Sequence, residues 1–232
     1  MYMTTRLLFH EELTSLDENI LHMGALVRAN VRLAFDAYNE GSVESADKVL
    51  DADDVIDDME VNIESSCMRL LALQQPMARD LRRISSAIKV SNELERIGDH
   101  AVLIAKNTRK LVQQCFATRP LVDIGEMSVA TLKMVDDCLT SFLQHDLDLV
   151  NRVCAIDDVV DDLYKNLREE VLTVAQHAPV LIPASSFTLL ILTSVERIAD
   201  YATNIAERVA YMETGQMRRL AREHRLSLTH FS

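Results

Sequence analysis

Five Gly and four Pro are all the backbone punctuation that this chain of 232 residues carries. Sandwiches and barrels need many tight turns, so this scarcity demands a few long elements. The nine residues are Gly24, Gly41, Pro76, Gly98, Pro120, Gly125, Pro179, Pro183 and Gly215. Gly24 and Gly98 lie inside periodic apolar patterns. The others leave breaks near 41, 76, 120–125, 179–183 and 215. A further break falls at His145-Asp146, where polar residues cluster and Asp146 is placed to cap a helix. Six long segments result.

Each segment reads as helix. Val49, Ile56, Ile63 and Leu70 recur every seven residues, with Ala52, Met59 and Leu73 on companion positions. Val90, Ile97, Ile104 and Leu111 repeat that spacing. Val153, Ile156, Val160, Leu163, Leu167 and Val174 mark a fifth segment; Phe187, Ile191, Ile198, Ile205 and Val209 mark the sixth. Such stripes bury one helix face in a bundle. Segments of roughly 25–35 residues span about 40–50 Å, and short connections make neighbours antiparallel. The fold class expected is all-α.

Two strings recur in order. Asp53-Asp54-Val55-Ile56-Asp57-Asp58-Met59 returns as Asp157-Asp158-Val159-Val160-Asp161-Asp162-Leu163, and Glu95-Arg96-Ile97-Gly98-Asp99 returns as Glu196-Arg197-Ile198-Ala199-Asp200. This is duplication: a three-helix bundle over 1–119, a second over 120–215, and a basic tail over 216–232. The tail reads as a frayed end or as a docking or subunit-clasping segment.

Every repeated string holds two acids at i, i+4: Asp53/Asp57, Glu95/Asp99, Asp157/Asp161 and Glu196/Asp200. That spacing sets both carboxylates on one helix face. If the chain turns at Pro76, Asp57 and Glu95 stand equidistant from the turn, as do Asp53 and Asp99. Asp161/Glu196 and Asp157/Asp200 are both centred on the Ala178–Pro179 junction. Each half thus brings four carboxylates to one level of a helical hairpin. Clustered like charges raise their pKa values, stay spread in water, or bind cations. Oxygen donors suit hard ions such as Mg²⁺, Mn²⁺, Ca²⁺ or iron. Solvated surface faces are the plain alternative. Arg96 and Arg197, at i+1 from Glu95 and Glu196, are expected to point away from those acids.

Net charge at pH 7 is −12, from 24 Lys+Arg against 36 Asp+Glu, and Trp is absent. Nucleic acid and anionic membrane surfaces are therefore poor partners. The N-terminal MYMTTRLLFHEEL reads as neither signal peptide nor membrane span, and no later apolar run is expected to approach the ~20 residues a span needs. Cys67, Cys115, Cys138 and Cys154 lack CxxC spacing and read as free thiols of a reducing cytosol. ExxH, HExxH, nucleotide-loop and nucleophile motifs are missing, so no enzyme is expected.

Over about 6–215 the chain resembles the PhoU family, phosphate-transport accessory and phosphate-signalling regulators of bacteria. The strings that carry the resemblance are FHEELTSLDENI, ADDVIDDME, QQPMARDLRRI, ELERIGDHA, IDDVVDDLY and SVERIADYATNI. It implies two similar three-helix bundles side by side in a cytoplasmic homodimer. It implies multinuclear metal clusters, of iron or of zinc, manganese or magnesium, held by Asp53, Asp57, Glu95, Asp99, Asp157, Asp161, Glu196 and Asp200. It also implies an adaptor between the ATPase subunit of a phosphate ABC transporter and a sensor histidine kinase, one that restrains phosphate uptake and the starvation response, without membrane insertion. Asn204 follows Asp200 by four, but Leu103 stands at the first-half equivalent, and Gly98 becomes Ala199. The sites of the two halves can therefore differ. Two further readings stand beside this one: a metal-free structural helical adaptor, and a carboxylate-bridged metal oxidase, which the lack of a His ligand disfavours.

Overall fold

The computed structural model describes residues 2–115 and 119–217, and side chains from residue 8 onward except that of Cys115. The elements are α1 (Tyr2–Glu40), α2 (Val43–Asp51), α3 (Asp53–Gln74), α4 (Arg79–Cys115), α5 (Gly125–Gln144), α6 (Leu147–His177), a short 3₁₀ turn (Pro179–Leu181) and α7 (Ile182–Thr214). No strand occurs among the described residues, so the fold is all-α as expected. Most of the basic tail lies outside the described residues.

Helix ends fall where the punctuation placed them. Asp146 caps α6 by accepting hydrogen bonds from the Asp148 and Leu149 N–H groups at 2.8 and 3.3 Å. Gly215 closes α7 at φ 73°, a left-handed conformation that glycine adopts without strain. One further break was not expected: the second segment is interrupted at Ala52 into α2 and α3. The interruption gives Asp53 and Asp54 the first turn of a new helix, where its positive end favours acids.

The periodic residues form the core. Val49, Ile56, Ile63 and Leu70 are buried, as are Val90, Ile97, Ile104 and Leu111. Leu73 departs from its expected companion role; it is exposed near the end of α3.

The most extensive helix–helix contact joins α4 to α7. The Arg82 Nε donates to the Met212 carbonyl at 3.1 Å, Asn204 to Glu93 at 3.2 Å, and Lys110 lies 5.7 Å from the Phe187 ring centroid. Rising numbers on α4 meet falling numbers on α7, so the pair is antiparallel. The α1 and α5 helices also run antiparallel, clasped by Arg28 and Asp136 at 2.6 and 3.0 Å. Gly24 lets the Leu139 side chain lie against α1, since a Cβ there would stand 2.4 Å from Leu139 Cδ2 and the leucine would have to shift.

Contrary to the expectation that no run is long enough to span a membrane, the stretch Pro179–Thr214 passes by length and composition, with mean hydropathy 1.5 over an 18-residue window. Its Val, Leu, Ile and Phe residues keep the average high, although Ser and Thr interrupt the apolar run. The helix packs against α4, α5 and α6, and a helix contacted on several sides is apolar nearly all round.

Gly98 carries a prediction. A Cβ added there would lie 3.4 Å from Ile56 Cγ2, ordinary contact, and its repeat equivalent Ala199 is buried without difficulty. Gly98→Ala is expected to stabilise by up to about 1 kcal/mol through helix propensity. Thermal melting should rise by about 2–4 °C; a fall would mean that α3 and α4 need the glycine for their approach.

Candidate metal centre

The α3/α4 hairpin sets the first acidic cluster. Ile56 packs beside Gly98, so the strings on either side of them face one another. Asp57, Glu95 and Asp99 line an open cavity of about 440 Å³ together with Glu60, Val61, Asn92 and Arg96. Asp53 lies one turn away from Asp57 and is not among the lining residues, though it feels the charges of Asp57 and Asp99.

The electrostatics are those of crowded anions. Partial burial, then Asp57 and Asp99, push the Asp53 carboxyl above its ordinary value, against the pull of Lys106. Asp57 is raised by burial, then by Asp99, Asp54 and Asp58. Glu95 is raised by burial, then by Asp99 and Asp57. Glu60 is raised by burial, then by Glu64 and Asp57.

In the second half, Tyr164 and Thr193 share a hydrogen bond at 3.3 Å and are equidistant from the Ala178–Pro179 junction, the register that the hairpin spacing required. Asp157 is 2% exposed, far more enclosed than half-buried Asp53. Glu196 is raised by burial and then by Asp200, with Arg197 opposing and Asp161 and Asp157 adding.

Arg197 corrects an expectation. It reaches back to Asp200 at 3.5 Å and to Glu196 at 3.8 Å, because a long flexible stem spans the i, i+3 distance. Arg96 does turn away, toward Asn92 at 3.4 Å and over the Tyr201 ring at 5.9 Å. Asn204 donates to Glu93 on α4, so its amide bridges the halves. His100, beside Asp99, sets its ring 5.6 Å from that of Tyr201, and burial holds it below its ordinary pKa.

No three His, Cys, Asp or Glu side chains among the described residues converge as a ready-made coordination shell. The donor chemistry nevertheless fits a hard cation: carboxylates at one level on facing helices, carrying charge that a cation would offset. Cys67 and Cys154 offer no soft alternative; both are buried and free, with burial pushing each thiol up to about 12.

The raised carboxylates set a pH dependence. A group whose pKa is higher folded than unfolded binds its proton first in the folded state, so lowering pH toward that value stabilises the fold. Asp53, Asp57, Glu60, Glu95 and Glu196 all shift this way. Asp137 shifts the other way, because Arg152 and Lys133 hydrogen-bond its carboxylate; its contribution is lost as pH falls through its lowered value. Melting in chelator should therefore rise from pH 7 into the weakly acidic range and fall in stronger acid. A melting temperature that drops steadily from pH 7 would contradict the crowding.

The fold and these strings define a class: duplicated helical bundles that pair acid-rich hairpins. The PhoU domain model matches residues 20–108 and again 124–209. The chain belongs to the PhoU family. It is 34% identical over 214 residues to the phosphate-specific transport system accessory protein PhoU homolog of Clostridium acetobutylicum, covering 91% of this chain and 97% of that protein. It is 37% identical over 207 residues to the same-named protein of Pseudomonas aeruginosa, covering 89% and 86%. The crystal structure of PhoU from P. aeruginosa superposes with a TM-score of 0.86 at 36% identity, covering 90% of this chain and all of that one. The phosphate transport system regulatory protein PhoU from Streptococcus pneumoniae gives 0.83 at 32% identity, covering 90% and 99%.

Proposed function

We propose that this chain is a non-enzymatic accessory regulator of phosphate transport. It acts in the cytoplasm as a homodimer, between the ATPase subunit of a phosphate ABC transporter and a sensor histidine kinase. When phosphate is plentiful it holds uptake and the starvation response down. The observation that carries this reading is the double match to the PhoU domain, together with relatives named for phosphate transport across nearly their whole length. Long helices supply broad rigid faces for protein contact, which an adaptor requires.

The acidic hairpins hold divalent cations in this reading. Asp57, Glu95 and Asp99, with Asp53 a turn away, serve the first half; Asp157, Asp161, Glu196 and Asp200 serve the second. A bound cation supplies positive charge between two helices that otherwise repel. A metal-free adaptor is favoured by one observation, the spread of the acids without a converged triad. Elemental analysis of untagged protein separates the two readings. The regulatory role is tested by deletion: phosphate-starvation genes should be expressed in high phosphate when the chain is missing. Normal repression in that strain would overturn the role.

A further inference from the structure

We propose that Glu60 and Asn92 are ligands of the first-half cation site, and that this larger donor set has no counterpart in the second half. The proposal rests on the reading of the acidic hairpins as cation sites.

Glu60 lies one turn beyond Asp57 on α3, and Asn92 one turn before Glu95 on α4. Residues three apart share a helix face, so both extend the row that the paired acids begin. Both line the same cavity as Asp57, Glu95 and Asp99. A carboxylate and an amide carbonyl are the oxygen donors that hard divalent ions accept. The Asn92 Oδ1 faces Arg96 Nε at 3.4 Å, a long contact that a cation can replace.

The duplication provides an internal comparison. Within α3 and α6 the repeat offset makes Tyr164 the equivalent of Glu60; within α4 and α7 it makes Thr193 the equivalent of Asn92. These two residues hydrogen-bond to each other at 3.3 Å. The place that is lined with a carboxylate and an amide in the first half is occupied by a hydroxyl-to-hydroxyl bridge in the second. Val61, also on the cavity wall, becomes Lys165. Around the first cavity stand four acids and one arginine. The equivalent second-half positions hold three acids, one arginine and one lysine. Three neighbouring positions diverge: one loses a carboxylate, one exchanges an amide for a hydroxyl and one gains a positive charge, which separates two sites that share the same acidic strings.

Equilibrium dialysis of the full chain against Mn²⁺, followed by elemental analysis, tests this. Asp161→Asn is introduced first to silence the second half. In that background Glu60→Gln, and separately Glu60→Tyr with Asn92→Thr, should each weaken Mn²⁺ binding about tenfold or more. The paired exchange installs residues that the fold already accommodates at the equivalent positions, so it guards against misfolding of a single variant. If both leave affinity within about twofold while Asp57→Asn abolishes binding, the added ligands are wrong and the cation site stands. If the parent chain takes up no Mn²⁺, the cation reading itself falls, and this inference with it.

Discussion

The double variant Asp57→Asn, Asp99→Asn is expected to melt above the parent chain in chelator, yet to gain less from Mn²⁺. In chelator, Asp57 is held above its ordinary pKa by burial and then by Asp99, so removing both charges relieves a repulsion that the folded state alone bears. With cation the order reverses. A ligand that binds only the folded state stabilises it by about 2.7 kcal/mol at a hundredfold excess over its dissociation constant. For a chain this long, 1 kcal/mol moves the midpoint by about 2–4 °C. Each occupied half therefore contributes about 5–10 °C, and the variant should keep only the second half's share. Equal Mn²⁺ shifts in parent and variant would remove these two acids from the site.

Truncating the matched core residues Ile97→Ala and Ile198→Ala should each cost about 2–5 kcal/mol, transfer and cavity terms together. Both side chains are wholly buried, at repeat-equivalent positions on α4 and α7. These are the helices with the most extensive mutual contact, so loosening one removes support from the other. Melting should remain a single transition, lowered by roughly 5–20 °C in either variant. Two transitions, only one of which moves with Ile97→Ala, would show that the halves unfold separately.

How much of this was legible beforehand depends on the kind of signal. Helix boundaries at Gly41, Asp146 and Gly215 follow from local chemistry: a cap or a positive φ acts within one turn of chain. The α2/α3 break at Ala52 was not legible, because Ala is the best helix former and nothing local forbids continuation. The hairpin register was legible because two antiparallel helices joined by a short turn have little freedom to slide. Tyr164 and Thr193 meet at the height that counting from the junction assigns.

The candidate site divided along the same line. The i, i+4 acids could be read from the chain, since helical spacing alone puts them on one face. Their unequal surroundings could not. Asp157 is buried and Asp53 is not, although the strings that hold them are nearly alike. Arg197 folds back on its own acids, whereas Arg96 crosses to Tyr201 on α7.

Composition, punctuation and repetition by themselves determined a duplicated all-α chain with paired acids at matched heights, because helix formation, capping and hairpin register are short-range. Only the tertiary structure decided which acids share a cavity, which basic side chains answer them, and how deeply each is buried. Those properties depend on side chains reaching between neighbouring helices, and on the desolvation that packing imposes, neither of which is encoded in the spacing along one helix.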